Sequence, residues 1–385
     1  MESFFPSSSQ TQTNTKKKRR CQFMSYIASI GTSQPEFNMK QTEVKDFIKN
    51  IFPRPEKELD RLMPVFENAH VANRQFVVSK AWFSEQHSFV ERNRIYQEKT
   101  LQHSLEAIDK CLSSKENFHD PIPYEAIDSF VFVSSTGIST PSMDAHIVNK
   151  RSFRDDITRI PLWGLGCAGG ASGLARGHEW LEANNSGVTL IVCAELCSLT
   201  FQKDDERKSN FIGSALFGDG ISAALMIGDK SEYRHHIRQP VPKVKAVSSR
   251  LKKQSLDVMG WEIAPHGFEV IFAKSIPRLV ETFWKEHVDD FMEKQGTIST
   301  DYGFFIAHPG GKKVLNAIEK VLDVSEDSLQ FSYQVLHDHG NMSSCTVLYI
   351  LKEWMKNGVE PGEKSIVSAL GPGFSSELLE VEWSG

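Results

Sequence analysis

Cys167 stands in a run of small residues, Leu165-Gly166-Cys167-Ala168-Gly169-Gly170-Ala171-Ser172-Gly173-Leu174-Ala175. A β-type segment, Arg159-Ile160-Pro161-Leu162-Trp163, leads in, and the small residues lead out into a predicted helix. Small side chains let backbone crowd backbone, so the cysteine is expected on a sharp turn at a helix N-terminus. Free N–H groups and the helix dipole there favour a thiolate. Such sites lower a cysteine pKa from ~8.5 into the range ~3.5–7.5. A thiolate on a tight turn is suited to carry an acyl group. Taken alone, Cys167 also reads as a buried small hydrophobe, the usual fate of a free cysteine.

Two further segments hold groups that complement a thioester. His308-Pro309-Gly310-Gly311 follows Cys167 by 141 residues, and Gly340-Asn341-Met342-Ser343-Ser344 places Asn341 33 residues after the histidine. Singly, His308 reads as a satisfied core histidine and Asn341 as a helix N-cap. Together with Cys167 they make the set to which the family resemblance given below assigns a Claisen condensation, and the residue types suit that chemistry. The cysteine carries an acyl group as a thioester, and His308 can hold it as a thiolate in an ion pair. A malonyl thioester that loses CO2 becomes an enolate, whose oxygen needs neutral or cationic donors. The His308 imidazole N–H and the Asn341 amide are such donors, each worth about 2.7–4 kcal/mol. Decarboxylation itself makes the carbanion, so no carboxylate base is required. Cysteine proteases also combine Cys, His and Asn, but with the cysteine near the mature N-terminus in a Cys-Gly-Ser/Ala-Cys-aromatic context that is absent here.

The elements that must position these groups form two similar series. Helical patterns cover Thr42–Ile51, Glu56–Asn68 and Glu91–Leu112, and Ile127–Ser134 reads as a buried strand. After the Cys167 turn come a helix to about Asn184, a continuous apolar strand (Val188–Glu195) of the kind covered on both faces, a charged loop (Gln202–Asn210), a tight turn (Phe217-Gly218-Asp219-Gly220) and a strand (Ile221–Ile227). Later come a helix over Ile276–Phe291, a strand Tyr302–Ala307 ending at His308, a helix Gly311–Leu322, and the Asn341 turn. A helix Ser343–Lys356, a strand Lys364–Leu370, the turn Gly371-Pro372-Gly373 and a last strand Leu378–Trp383 complete the chain. Turn, helix, strand, turn, strand thus occurs twice, with Cys167 and Asn341 in equivalent places. Two such halves facing each other would bring both helix N-termini to one central site.

The 385 residues exceed the ~250–300 at which single cores stop growing. The division read here is a polar and basic tail (1–23), an N-terminal half (24–235) and a C-terminal half (236–385). A hydrophobic content of 40% is that of a globular protein, and a net charge of -5 argues against nucleic-acid partners. Six scattered cysteines suit a reducing cytoplasm. Cys193 and Cys197 lack the second ligand pair a metal site needs. No apolar run is long enough to span a bilayer.

Cys167, His308-Pro309-Gly310-Gly311, Gly340-Asn341-Met342-Ser343-Ser344 and Gly371-Pro372-Gly373, in that order and spacing, resemble the thiolase superfamily and within it the type III polyketide synthases, the chalcone-synthase-like enzymes. The resemblance runs from about Met24 to the C-terminus. It implies an α/β fold of five αβαβα layers built from two similar halves, a homodimer, acyl-CoA and malonyl-CoA as substrates, and no cofactor. It implies Cys167, His308 and Asn341 as the catalytic set. Ketoacyl synthases of fatty-acid initiation, which use a malonyl carrier protein, are the alternative relatives. For the substrate cavity the resemblance points to Phe217, Cys197, Thr200, Val270, Thr136, Thr140, Ser343, Gly371 and Pro372. Val270 departs from the family, which has a gating phenylalanine there, and Phe268 or Phe272 is a candidate replacement. Cys197 stands where plant members have threonine, and Thr140 where they have a methionine that shapes the partner subunit's cavity. Smaller, less aromatic lining leaves room for an aliphatic chain, so the expected starter is a long-chain fatty acyl-CoA and the products are alkylpyrones or alkylresorcinols. Arg61 matches one basic residue that binds CoA phosphates. Pro64 and Asn68 replace two others, leaving Arg74 or the basic stretch after Asp229 as candidates.

Overall fold

The computed structural model describes residues 24–384, so the tail read at 1–23 lies outside the described residues. The described strands are β1 (Ser25–Ser33), β2 (Phe37–Lys40), β3 (Asn73–Phe76), β4 (Ser129–Ser134), β5 (Thr158–Trp163), β6 (Val188–Leu196), β7 (Asp219–Gly228), β8 (Val241–Leu251), β9 (Met259–Ala264), β10 (Gly267–Phe272), β11 (Phe304–Ala307), β12 (Lys364–Gly371) and β13 (Ser375–Ser384). Nine of them join in the order β11-β12-β13-β8-β1-β7-β6-β4-β5, while β2 with β3 and β9 with β10 make separate ribbons. The large sheet is two sheets hinged in the middle: β1 and β8 pair only at Ser25↔Val244 and Tyr26↔Lys243.

Each side of that hinge has the same plan. In the N-terminal half β1, β7 and β6 run antiparallel in turn, and β6 lies parallel to β4. In the C-terminal half β8, β13 and β12 run antiparallel in turn, and β12 lies parallel to β11. The layering follows from the period-2 alternation of a strand. Phe130 and Phe132 of β4 point to an outer core with Ile108 and Leu112 of helix Phe89–Leu112. Val131 and Val133 point inward, to a central core shared by Leu174 of helix Gly169–Ala183 and Leu348 of helix Thr346–Lys356. In the second half Val367 and Leu379 join that central core. Ile366 and Leu378 face a third core with Trp284, Phe291 and Leu315. Helix, sheet, paired central helices, sheet, helix is the five-layered fold expected.

Several local expectations change. The helix expected over Glu56–Asn68 is two, Glu56–Leu62 and Pro64–Asn68, because Pro64 has no N–H to continue the first and is well placed to start the second. The loop expected over 202–210 gives way to helix Lys208–Leu216, and Asp219-Gly220, expected in a turn, already belong to β7. The helix after Ile276 passes through a π-helical turn, Val280–Trp284, before Lys285–Gln295. That turn lets buried Trp284 donate its indole N–H to the Ser368 hydroxyl at 2.9 Å. Among the described residues no helix is long and apolar enough to cross a membrane.

Candidate active site

Cys167 lies in a single 3₁₀ turn, Gly166–Ala168, between β5 and helix Gly169–Ala183. Gly166 adopts φ +47°, and a Cβ there would stand 2.7 Å from Pro372. A Cβ on Gly371 would stand 2.5 Å from the Leu165 carbonyl and 2.6 Å from the Ala168 methyl. Gly371 and Pro372 therefore brace the cysteine turn from behind. On the other side a Cβ on Gly170 would meet the Ser344 carbonyl oxygen at 2.2 Å. The small residues around Cys167 thus let the starts of the two central helices touch.

His308 directly follows β11. Its backbone N–H donates to the Ser368 carbonyl at 2.8 Å, while both ring nitrogens are buried with no hydrogen-bond partner. Asn341 is tied through its backbone: its N–H donates to the Leu216 carbonyl at 2.9 Å, and its carbonyl accepts from the Gly218 N–H at 3.0 Å. Its side-chain Oδ1 accepts the Ser343 backbone N–H at 2.8 Å and the Cys167 thiol at 3.8 Å. A backbone N–H can only donate, so the amide orientation is settled and the Nδ2 group remains buried without an acceptor. Ser343 is also within hydrogen-bonding reach of Cys167. Cys167, Asn341 and Ser343 are thus joined in one buried locus, and the Asn341 Nδ2 there, like the two ring nitrogens of His308 after β11, has no partner.

The charge state differs from the sequence expectation. Burial pushes the Cys167 thiol up to about 12, opposed only in part by Ser343 and Asn341, and pushes His308 down to about 3. No hydrogen bond joins the two, and the thiol donates to Asn341. A helix N-terminus contributes typically ~0.3–1 kcal/mol. Burial is the largest influence on the thiol and acts in the opposite direction, so desolvation wins. Each group alone is neutral here. A neutral, burial-depressed imidazole is still a hydrogen-bond donor, which suits it to an enolate oxygen.

A narrow, largely apolar cavity brings Cys197, Thr200, Phe217 and Val270 together with Met39, Val44, Phe47, Ile48, Phe76 and Phe83. The Thr200 hydroxyl donates to the Cys197 carbonyl at 2.7 Å, fixing that turn. The aromatic residue set against Phe217 is neither Phe268 nor Phe272. It is Trp261, the cross-strand partner of Val270, with ring centroids 6.1 Å apart. Phe268 packs against Phe89 and Trp163, and Phe272 against the outer core of the second half. Trp261 carried no motif in the sequence; only the β9–β10 register reveals it. Thr136 stands apart from this cavity, its hydroxyl accepting the Leu196 N–H at 2.9 Å, and Thr140 is exposed on the loop after β4. Arg61 is exposed in the last turn of helix Glu56–Leu62. Arg74 is fully buried and bonded to protein carbonyls, so it is removed from any phosphate.

Glu195 was not singled out in the sequence, yet it lies buried beside this locus. Its carboxylate accepts the Ser135 N–H at 3.0 Å, the Ser135 hydroxyl at 3.1 Å and the Ser344 hydroxyl at 2.7 Å. Burial raises its pKa to about 7.

Comparison with known proteins agrees with this architecture. Family models of the chalcone and stilbene synthases match both halves, the N-terminal domain at residues 12–230 and the C-terminal domain at 244–382. The chain is 48% identical to a chalcone synthase homologue of Bacillus subtilis (strain 168), over 94% of this chain and 99% of that one. It is 30% identical to the 1,3,6,8-tetrahydroxynaphthalene synthase of Streptomyces peucetius, over 93% of each. The crystal structure of the Streptomyces coelicolor 1,3,6,8-tetrahydroxynaphthalene synthase, a bacterial type III polyketide synthase, superposes with a TM-score of 0.86 at 25% identity, covering 94% of this chain and 99% of that one. Five layers from two like halves and matches along nearly the whole length lead to one assignment: the chain belongs to the chalcone and stilbene synthase family and is a type III polyketide synthase, an acyltransferase.

Proposed function

We propose that this enzyme loads a long-chain fatty acyl-CoA on Cys167 and extends it with malonyl-CoA to alkylpyrones or alkylresorcinols. The observation that carries the starter assignment is the narrow cavity whose lining is dominated by Met39, Val44, Phe47, Ile48, Phe76 and Phe83, an apolar surface fit for a hydrocarbon chain. The Cys167 sulfur attacks the acyl-CoA carbonyl and CoA leaves as the free thiol. Malonyl-CoA then loses CO2, and the enolate oxygen takes hydrogen bonds from the His308 imidazole and Asn341 Nδ2, the donors left without partners. The enolate carbon attacks the acyl group, the Cys167 sulfur leaves, and a β-ketoacyl-CoA results. No step calls for a metal or a further cofactor. The enzyme works as a homodimer: β5 is a sheet edge, and Trp163 and Ile138 near it are about half exposed.

A second reading has its own support. Relatives bear the names 1,3,6,8-tetrahydroxynaphthalene synthase and phloroglucinol synthase, the latter from Pseudomonas fluorescens at 25% identity. Product analysis across starters from acetyl-CoA to eicosanoyl-CoA and aromatic CoAs, each with malonyl-CoA, separates the two. Turnover should peak with long alkyl starters. A single aromatic product from malonyl-CoA alone, indifferent to added acyl-CoA, would overturn the starter assignment, and strict dependence on a malonyl carrier protein would overturn the extender assignment.

A further inference from the structure

A fully buried cation near the Asn341 turn belongs to a residue that no step above uses. Arg74, on β3, is 0% exposed. Its Nη1 donates to the carbonyls of Ser214 at 2.7 Å and Phe217 at 3.0 Å, and its Nη2 donates to Gln41 Oε1 at 2.5 Å. Gln41 in turn donates its Nε2 to the Ala215 carbonyl at 2.9 Å. These carbonyls end helix Lys208–Leu216 and begin the turn after it, where a helix leaves its last carbonyls unsatisfied. Every one of them is accounted for: Gly213 by the Phe217 N–H, Ser214 and Phe217 by Arg74, Ala215 by Gln41, and Leu216 by the Asn341 N–H. A cation at a helix C-terminus is also favoured by the helix dipole.

The turn held in this way is the one that holds Asn341. Leu216 and Gly218 bond the Asn341 backbone from both sides, at 2.9 and 3.0 Å. The stem of Arg74 touches the other strand of the same clamp. Gly340 has φ +69°, and a Cβ there would stand 3.0 Å from both Cγ and Cδ of Arg74. One side chain therefore sets the turn that bears Phe217 by hydrogen bonds, and the residue before Asn341 by contact. The nearest opposing charge, Asp219, is itself satisfied by Val77 N–H and by the Ser198 N–H and hydroxyl, at 2.6–2.8 Å. Arg74 is thus committed to the carbonyls of the turn.

We infer that Arg74 is a positioning residue for Asn341, holding the amide where it meets the enolate. This rests on the donor role proposed for Asn341. The test is a double-mutant cycle read by malonyl-CoA decarboxylation in Arg74→Met, Asn341→Ala and the double variant, with Arg74→Lys as the conservative variant. Misplacing a catalytic group by about an ångström can cost ~10²-fold, so a loss of that order in kcat is expected for Arg74→Met, with KM little changed. Arg74→Lys should recover part of it, and Arg74→Met should cost nothing further once Asn341 is already alanine. Acylation of Cys167, followed by intact mass, reports whether the rest of the site is whole. If Arg74→Met slows the Asn341→Ala enzyme as much as it slows the wild type, or leaves decarboxylation at the wild-type rate while Asn341→Ala is slow, the positioning role is wrong. If Asn341→Ala itself decarboxylates at the wild-type rate, the donor role fails and the positioning role with it. Should Arg74→Met not fold, Gln41→Met loosens the same turn and runs the same cycle with the same two outcomes.

Discussion

The two central helices begin alike and end up serving opposite purposes. Cys167 stands two residues before helix Gly169–Ala183, and Ser344 stands two residues before helix Thr346–Lys356, each inside a 3₁₀ turn, so the counterpart of Cys167 is Ser344 and not, as the sequence pattern had it, Asn341. Likewise Ser135 directly follows β4 and His308 directly follows β11. The two halves therefore offer two equivalent groupings: Cys167 with His308, and Ser344 with Ser135. The second is closed. Glu195 takes hydrogen bonds from both serines and from the Ser135 backbone. The first is open, with both His308 nitrogens and Asn341 Nδ2 buried without partners. A buried unpaired donor costs ~1–3 kcal/mol, so one grouping is stabilised and the other holds donors ready for a substrate oxygen. Like backbones thus separate into a closed brace and a set of open donors according to which polar groups are left unmatched.

The difference can be broken from the open side first. Cys167→Ala should abolish the covalent adduct formed with palmitoyl-CoA, seen by intact mass; a persisting adduct would move the nucleophile elsewhere. His308→Ala should slow decarboxylation of malonyl-CoA by ~10²–10³-fold. It should leave the pH profile of Cys167 alkylation in place, because burial and not the imidazole governs the thiol. A profile moved upward would show that the imidazole helps the sulfur ionise. Trp261→Ala should change the ratio of kcat/KM between long and short acyl-CoA starters by ~10-fold, since a pocket contact of this kind is worth ~1–3 kcal/mol. No change in the ratio would deny Trp261 a place in the substrate's path.

The closed side should answer in stability. Burial raises Glu195 from 4.5 to about 7. A carboxyl with a raised folded-state pKa binds its proton more tightly when folded, so its contribution is whole below about 4.5 and is lost as pH rises to about 7. Glu195→Gln removes that titration. Relative to wild type it should gain on the order of 1–3 kcal/mol between about pH 5 and about pH 8, measured by denaturant unfolding at each pH. Parallel pH dependences in the two proteins would mean that Glu195 does not titrate in this range.

Much of the plan was readable because it is written in contiguous patterns. The apolar run Val188–Leu196 is buried throughout, as a strand covered on both faces must be, and the small residues around Cys167 foretold the close approach of Gly170 to Ser344. The strand that ends at His308 and the turn that holds Asn341 were likewise legible in the pattern. What escaped depends on contacts between distant segments. Helix Lys208–Leu216 begins Lys208-Ser209-Asn210 and contains Gly213 and Ser214, so it shows little apolar periodicity, and its end is secured by Arg74 and Gln41 from elsewhere in the chain. Trp261 faces Phe217 only by virtue of hairpin register. Glu195 bonds serines 60 and 149 residues away. The low thiol pKa was expected from the helix N-terminus alone, but the depth of burial, which reverses its direction, is a property of the folded chain.

The contrast between the open and the closed grouping is tested most directly by malonyl-CoA decarboxylation in Asn341→Ala and Glu195→Gln, measured side by side at one pH. The account predicts a loss of ~10²–10³-fold for Asn341→Ala and a rate near wild type for Glu195→Gln. A wild-type rate in Asn341→Ala together with a large loss in Glu195→Gln would contradict it.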